Sequence, residues 1–318
     1  MQVFTSAQAA ARAFGNYAAT IGKYDGMHLG HQRILAELKV LAADSGLPTL
    51  VILSEPQPEE FFFPAEAPPR LNHFLDKVAW LEDFGIDAVL RMEFDHTLSH
   101  TAADDFVRHY LVNALGIRKL VVGDDFRFGK GRSGNLELLQ TLGRQLGFEA
   151  LGIGPCVHDE ERVSSTLIRQ YLQQGNCDRA ARLLGRPYSI SGEVVHGMKL
   201  GRELGVPTAN VGLNAARLPM TGVFCVESTI GHNQVQGVAN IGFKPSVSST
   251  GEPSLEVHLF DFSRNIYGEH IKVSFLHKLR EEKKLPDLQT LRTTMMEDLD
   301  NARQYFAGRR NKGSEQQQ

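Results

Sequence analysis

The stretch ATIGKYDGMHLGHQRIL, residues 19–35, changes its period in the middle. It opens as a strand-like run, turns through Gly22 and Gly26, and continues from His31 with apolar residues at helical spacing. His28 and His31 lie three apart with Gly30 between them, so both face one point at the helix start. A helix N-terminus offers unpaired backbone N–H groups and the positive end of a dipole, which suits phosphate. Imidazoles there donate hydrogen bonds to oxygens that gain charge as phosphate is transferred. A surface or metal-binding histidine pair is the plainer reading. A metal needs further ligands, however, and no HExxH-like frame lies nearby. Phosphate contact is the stronger reading.

Outward from this unit, strand-like runs alternate with helical ones as far as residue 185. The strands are expected at Ala18–Gly22, Thr49–Leu53, Asp87–Arg91, Lys119–Val122 and Phe148–Gly152. Helices are expected at His31–Ala43, Leu71–Phe84, Ala102–Leu115 and Asn135–Leu146. Thr101 followed by Asp104 reads as a helix start, and Gly85, Gly116 and Gly147 as C-caps. This alternation predicts a parallel sheet covered on both faces, with ligands beyond the strand ends at Ile21, Leu53 and Val122. After Gly185-Arg186-Pro187 the texture changes to short β-rich segments. They are Ser189–Val195, Gly222–Glu227, Val235–Ala239, Leu255–Phe260 and Ile271–Phe275, which suggests a small barrel or sandwich. A helix over Leu288–Phe306 follows. The expected division is therefore residues 1–185, residues 186–311, and a polar, disordered tail over 312–318.

Composition narrows the function. At 318 residues the chain exceeds what one hydrophobic core usually supports, which favours two domains. A net charge of −3 argues against broad binding to nucleic acid or an acidic membrane. No apolar run is long enough for a membrane span, the N-terminus lacks a secretory pattern, and Cys156, Cys177 and Cys225 lack metal-ligand spacing. A cytoplasmic protein with reduced thiols is expected.

A second phosphate-type pattern, RVSSTLIRQYL, spans residues 162–172. Ser164, Ser165 and Thr166 stand where a helix begins, and Arg169 lies on its first turns. Alone, such a run is usually a simple N-cap. Paired, HxGH after the first strand and SSTxIR after the last resemble the nucleotide-binding motifs of the nucleotidylyltransferase superfamily. Gly129 to Gly134 also fits GxGxxG, but it follows a loop and does not leave a strand directly, so a Rossmann dehydrogenase is rejected. No P-loop sequence occurs.

The second half carries HGMKLGRELGVPTANV from residue 196, GVANIGFKPSV from 237, LEVHLFDF from 255 and YGEHIKVSFLHKLREEKK from 267. Gly197, Gly201 and Gly205 let the backbone approach a ligand, while Lys199 and Arg202 add positive charge. Thr208 and Asn210 offer oxygens two residues apart, of the kind Mg²⁺ accepts alongside phosphate.

Taken in order, these motifs, with EPQPEEFF (55–62), PPRL (68–71) and VVGDDFRFGKGRSGNLELL (121–139), resemble the bacterial bifunctional riboflavin kinase/FMN adenylyltransferases, or FAD synthetases. The resemblance runs from about Ala18 to Phe306. It implies an α/β parallel-sheet, nucleotidylyltransferase-like domain, then a small β-barrel riboflavin-kinase domain with a C-terminal helix. It also implies ATP-dependent phosphorylation of riboflavin to FMN and adenylylation of FMN to FAD with release of pyrophosphate. By that resemblance His28, His31, Ser164, Ser165, Thr166 and Arg169 hold the ATP phosphates, and the turn containing Gly22 and Asp25 packs against the nucleotide. Pro56, Pro58, Asp125 and Phe128 place flavin and adenine. In the second domain Gly197, Lys199, Gly201 and Arg202 meet ATP, Thr208 and Asn210 bind Mg²⁺ and phosphate, Glu256 is the base, and Arg280 shapes the flavin site. Lys23 departs from the family, whose members often carry Asn or a small residue there. The competing readings are a nucleotidylyltransferase for another phosphorylated substrate with a regulatory flavin-binding domain, and a non-catalytic flavin carrier.

Overall fold

The computed structural model describes residues 1–197, 201, 204–213, 217–244, 252–283 and 286–315. Lys199, Arg202 and residues 245–250 lie outside the described residues, and so does the end of the tail, 316–318. The chain forms two compact units. One comprises residues 1–68 and 72–164; the other comprises residues 69–71 and 165–318.

In the first unit six strands form one parallel sheet: β1 (Gln2–Phe4), β2 (Tyr17–Gly22), β3 (Thr49–Glu55), β4 (Ala88–Glu93), β5 (Ile117–Gly123) and β6 (Glu149–Ile153). Their order is β1-β4-β3-β2-β5-β6. Side chains alternate across the sheet, so successive residues of β2 and β3 serve opposite layers. Ala19, Ile21, Leu50 and Ile52 pack with Ala10, Phe106, Leu111 and Leu139. Ala18, Val51 and Leu53 pack with Leu35, Leu38 and Leu81. The first layer rests on α1 (Ala7–Phe14), and the second on α2 (Leu29–Ser45) and α4 (Phe74–Asp83). Between the last two helices, α3 (Pro58–Phe62) follows β3.

Gly85, Gly116 and Gly147 have φ of 81°, 63° and 80°, as C-cap positions require. Thr101 does not start the next helix; its hydroxyl donates to the Thr97 carbonyl at 2.8 Å. That carbonyl belongs to α5 (His96–His100), which the sequence pattern does not reveal. The following helix, α6 (Ala103–Asp105), starts from the uncapped Ala102 and widens to a π-helix over Phe106–Ala114. Helix α7 (Leu136–Leu146) starts at Asn135, whose side chain accepts from Leu138 N at 2.9 Å. A small hairpin, β7 (Val157–His158) and β8 (Glu161–Arg162), ends the unit.

The second unit opens with α8 (Ser165–Gln173) and α9 (Cys177–Leu184), which pack together, and α9 lies against the strands that follow. Those strands are β9 (Tyr188–Val195), β10 (Ala209–Val211), β11 (Gly222–Ile230), β12 (Asn233–Lys244), β13 (Glu252–Leu259) and β14 (His270–Arg280). They close an antiparallel barrel in the order β10-β13-β12-β11-β14-β9, which resolves the barrel-or-sandwich choice. Outside it, Val223, Cys225, Val238 and Leu276 pack with Ala302 and Phe306 of the C-terminal helix. That helix runs Leu288–Glu315, into the stretch whose composition suggested disorder.

Candidate active sites

The order of the parallel sheet reverses at β2: the chain proceeds to β3 on one side, and β5 pairs on the other. Ligands in open α/β sheets bind beyond the strand ends at such a point. The β2–α2 turn stands there, with Tyr24, Gly26 and Met27 at φ of 50°, 89° and 47°. Two of these are non-glycine residues in the left-handed region, so surrounding contacts must hold them. The Tyr24 and Thr20 hydroxyls are 2.6 Å apart, and the buried Asp25 carboxylate accepts from Asn72 N at 3.1 Å.

His28 caps α2: its Nδ1 accepts from His31 N at 3.3 Å, which puts the neutral ring's proton on Nε2. The His28 and His31 rings stack with centroids 3.7 Å apart and planes 14° apart. Glycine is required between them. A Cβ on Gly30 would lie 3.2 Å from the His28 ring and 3.5 Å from the Cys156 Cβ. Burial first, then nearby positive charge, that of Lys77 and Lys23 included, holds His31 well below the ordinary histidine range, so it is neutral at pH 7.

Two ion pairs border this turn. Lys77, fully buried on α4, meets Glu55 at the end of β3 at 3.2 Å. Lys23, in the turn itself, meets Glu59 of α3 at 2.6 Å. Buried side-chain atoms without a hydrogen-bond partner gather in the same unit: His31 Nδ1, Gln57 Nε2, Glu59 Oε2 and Asn72 Oδ1. Buried polar atoms are normally satisfied, so unpaired ones on the turn and the loops joined to it suit a ligand-binding surface.

The remaining expected residues divide. Pro56 and Pro58 flank Gln57, the N-cap of α3, with Pro58 as the helix's first residue. Asp125 is exposed and pairs with Arg162 at 2.6 Å. Phe128, by contrast, is buried against Phe106 and Phe126, and a Cβ on Gly134 would stand 2.6 Å from its ring. A Cβ on Gly129 would be 2.6 Å from the Ala103 Cα. The GxGxxG match is thus explained by packing. Ser164 ends the first unit, whereas Ser165, Thr166 and Arg169 start α8 in the second. There Arg169 Nε donates to the Pro69 carbonyl at 2.7 Å.

On the barrel, Asn210, Glu256 and Asn240 are register partners on three adjacent strands. Directly paired residues project to the same face of a sheet, so these form one polar row. Thr208 Oγ1 donates to Glu256 Oε2 at 3.4 Å. A Cβ on Gly197 would fall 2.3 Å from the Asn210 amide, and one on Gly201 would lie 2.5 Å from the Val206 carbonyl. Glycines at both positions let that backbone lie against the Pro207–Asn210 segment. His258 Nδ1 donates to the Pro207 carbonyl at 2.8 Å and anchors it. Sequence reasoning missed His258, although its place two residues after Glu256, on the same strand face, was a signal. Arg280 is held by both Asp298 oxygens, at 2.9 Å and 2.8 Å, and by the Glu281 carbonyl. Lys77, Gln57, Glu59 and Asn240 were likewise not foreseen.

A capped histidine pair at the switch point of a parallel sheet, followed by a barrel bearing a Thr-Asn-Glu group, defines a two-domain transferase of phosphate chemistry. Comparison with known proteins narrows the class. A family model for FAD synthetase matches residues 11–167, and one for riboflavin kinase matches residues 184–306. The bifunctional riboflavin kinase/FMN adenylyltransferase of Haemophilus influenzae is 41% identical over 96% of this chain and 99% of its own. Its Pseudomonas fluorescens counterpart is 45% identical over 91% and 93%. A solved structure described as a macrolide-efflux protein from Streptococcus pneumoniae superposes with a TM-score of 0.76 at 26% identity, covering 93% of this chain and 96% of that one. Among the described residues no helix is long and apolar enough to cross a membrane. The chain belongs to the bifunctional riboflavin kinase/FMN adenylyltransferase family and is an enzyme of FAD synthesis.

Proposed function

We propose that the two reactions run at separate sites, adenylylation at the His28–His31 turn and phosphorylation at the Thr208–Glu256 row. The observation that carries this reading is the Thr208–Glu256 contact on one face of the barrel, paired with a capped histidine stack in the other unit. The assignment divides the chain at about residues 185 and 186.

In adenylylation an FMN phosphate oxygen attacks the α-phosphorus of ATP as pyrophosphate leaves. The phosphate is already an anion, so positioning and charge stabilisation matter more than proton removal. His28, with its proton on Nε2, and neutral His31 act as hydrogen-bond donors to phosphate oxygens. The start of α2 adds backbone N–H groups. Gly22, Asp25 and Gly30 shape the turn, while Ser164, Ser165, Thr166 and Arg169 are assigned to phosphate by the resemblance of SSTxIR to the family motif. Pro56, Pro58 and Asp125 help to place flavin and adenine. Phe128 acts indirectly, by supporting the loop from within the core.

In phosphorylation a riboflavin hydroxyl attacks the γ-phosphorus of ATP and must lose its proton, which Glu256 accepts. Gly197, Lys199, Gly201 and Arg202 are assigned to ATP, and Arg280 to the wall of the flavin site. Thr208 and Asn210 supply oxygen donors that fit Mg²⁺. Among the described residues no cluster of three His, Cys, Asp or Glu forms a metal cage, so the ion would come largely with the phosphates. When bound, Mg²⁺ neutralises phosphate charge at each site. The reading is of a cytoplasmic enzyme whose partners are riboflavin, FMN and ATP.

The test is a pair of variants. His28→Ala should lower FAD formation by about 10²–10³-fold and leave riboflavin phosphorylation near wild type. Glu256→Gln should abolish most FMN formation while FMN supplied directly is still converted to FAD. Equal loss of both activities in either folded variant contradicts the assignment.

A further inference from the structure

Lys23 follows Gly22 at the end of β2 and lies in the same turn as His28. Its ammonium meets Glu59 Oε1 at 2.6 Å, and the two side chains remain 47% and 36% exposed. An ion pair open to solvent to this degree contributes little to stability. The glutamate is also only half satisfied by the fold, because its Oε2 is buried without a partner. Gln57 Nε2, two residues earlier, is buried and unpartnered as well. The charge of Lys23 is felt at His31, so the ammonium is close to the histidine stack. A lysine stem carries a compact charge on four rotatable carbons and can change partners without moving the backbone.

We infer that Lys23 is a phosphate-binding residue of the adenylyl-transfer site, with Glu59 as the counterion that holds it until polyphosphate replaces the carboxylate. This rests on the reading that the His28–His31 turn binds ATP phosphates. The two members of the pair then act in opposite directions. Lys23 adds binding to the polyphosphate, and Glu59 competes with the polyphosphate for the same ammonium. A pair serving only to fasten α3 to the turn predicts the same sign for both.

Calorimetric titration of the full chain with inorganic pyrophosphate and magnesium distinguishes these cases. Lys23→Gln should weaken pyrophosphate binding about tenfold, the size of one lost charge-assisted hydrogen bond. Glu59→Gln should tighten it by about two- to fivefold, since the competing carboxylate is gone. The double variant should behave like Lys23→Gln, and Lys23→Arg should stay within about twofold of wild type. A urea melt of the parallel-sheet unit unchanged from wild type confirms that each variant is folded. Unchanged affinity in Lys23→Gln, or weaker binding in Glu59→Gln, overturns the inference. His28→Ala separates its failure from that of the underlying reading. If only His28→Ala weakens pyrophosphate binding, the Lys23 inference alone fails; if neither variant does, the phosphate site itself is misplaced.

Discussion

Gly30 shows how much the histidine stack, the proposed site of adenylyl transfer, depends on one missing side chain. Alanine there stays within helical preferences and is normally favourable in a helix. Its methyl group would stand 3.2 Å from the His28 ring, so the cap and the stack must shift together. Gly30→Ala should therefore lower FAD formation by about tenfold while changing unfolding free energy by less than about 1 kcal/mol. A fully active Gly30→Ala protein, or one that simply melts, contradicts that role. His31 gives a residue-scale prediction in pH. Its folded pKa lies below the unfolded value, so the unfolded chain takes up the proton first. Stability from this group is complete above about pH 6.5 and declines as the pH falls toward the folded value. Urea melts of wild type and His31→Gln should converge as the pH drops from 7 to 5. A constant difference over that range contradicts the neutral buried state.

Lys77 and Glu55 join α4 to the end of β3 beneath the site, with both side chains nearly or wholly buried. Removing one partner leaves a charge in a dry interior, at a cost of about 3–5 kcal/mol. Lys77→Met should destabilise by about that amount in denaturant melts, and adding Glu55→Gln should recover much of it. A single variant as stable as wild type would show that water reaches the pair. Such contacts also mark the limit of what the sequence made legible. Periodicity located the five longer strands of the sheet, β2 to β6, and most of the helices around them, because each pattern is local. It missed β1 and α1, whose three and eight residues offer few positions in which a period can repeat. The Ala102–Leu115 pattern suggested a helix, but nothing local signalled that it widens after Asp105. The HxGH turn was readable because its residues are adjacent. The Lys77–Glu55 and His258–Pro207 contacts join residues distant in sequence and became visible only once the chain was folded.

Across the whole molecule, each unit encloses its own core, and each family match falls largely within one of them. Dividing the chemistry this way means that FMN is the product of one site and the substrate of the other. The barrel needs a base because its attacking group is a neutral hydroxyl; the parallel sheet does not, because its attacking group is already charged. The most direct test is chromatography of the products formed by the purified protein with ATP and Mg²⁺, first from riboflavin and then from FMN. The account predicts FMN followed by FAD in the first incubation, and FAD with pyrophosphate in the second. FAD from FMN but no FMN from riboflavin would contradict the two-site account at the Thr208–Glu256 row.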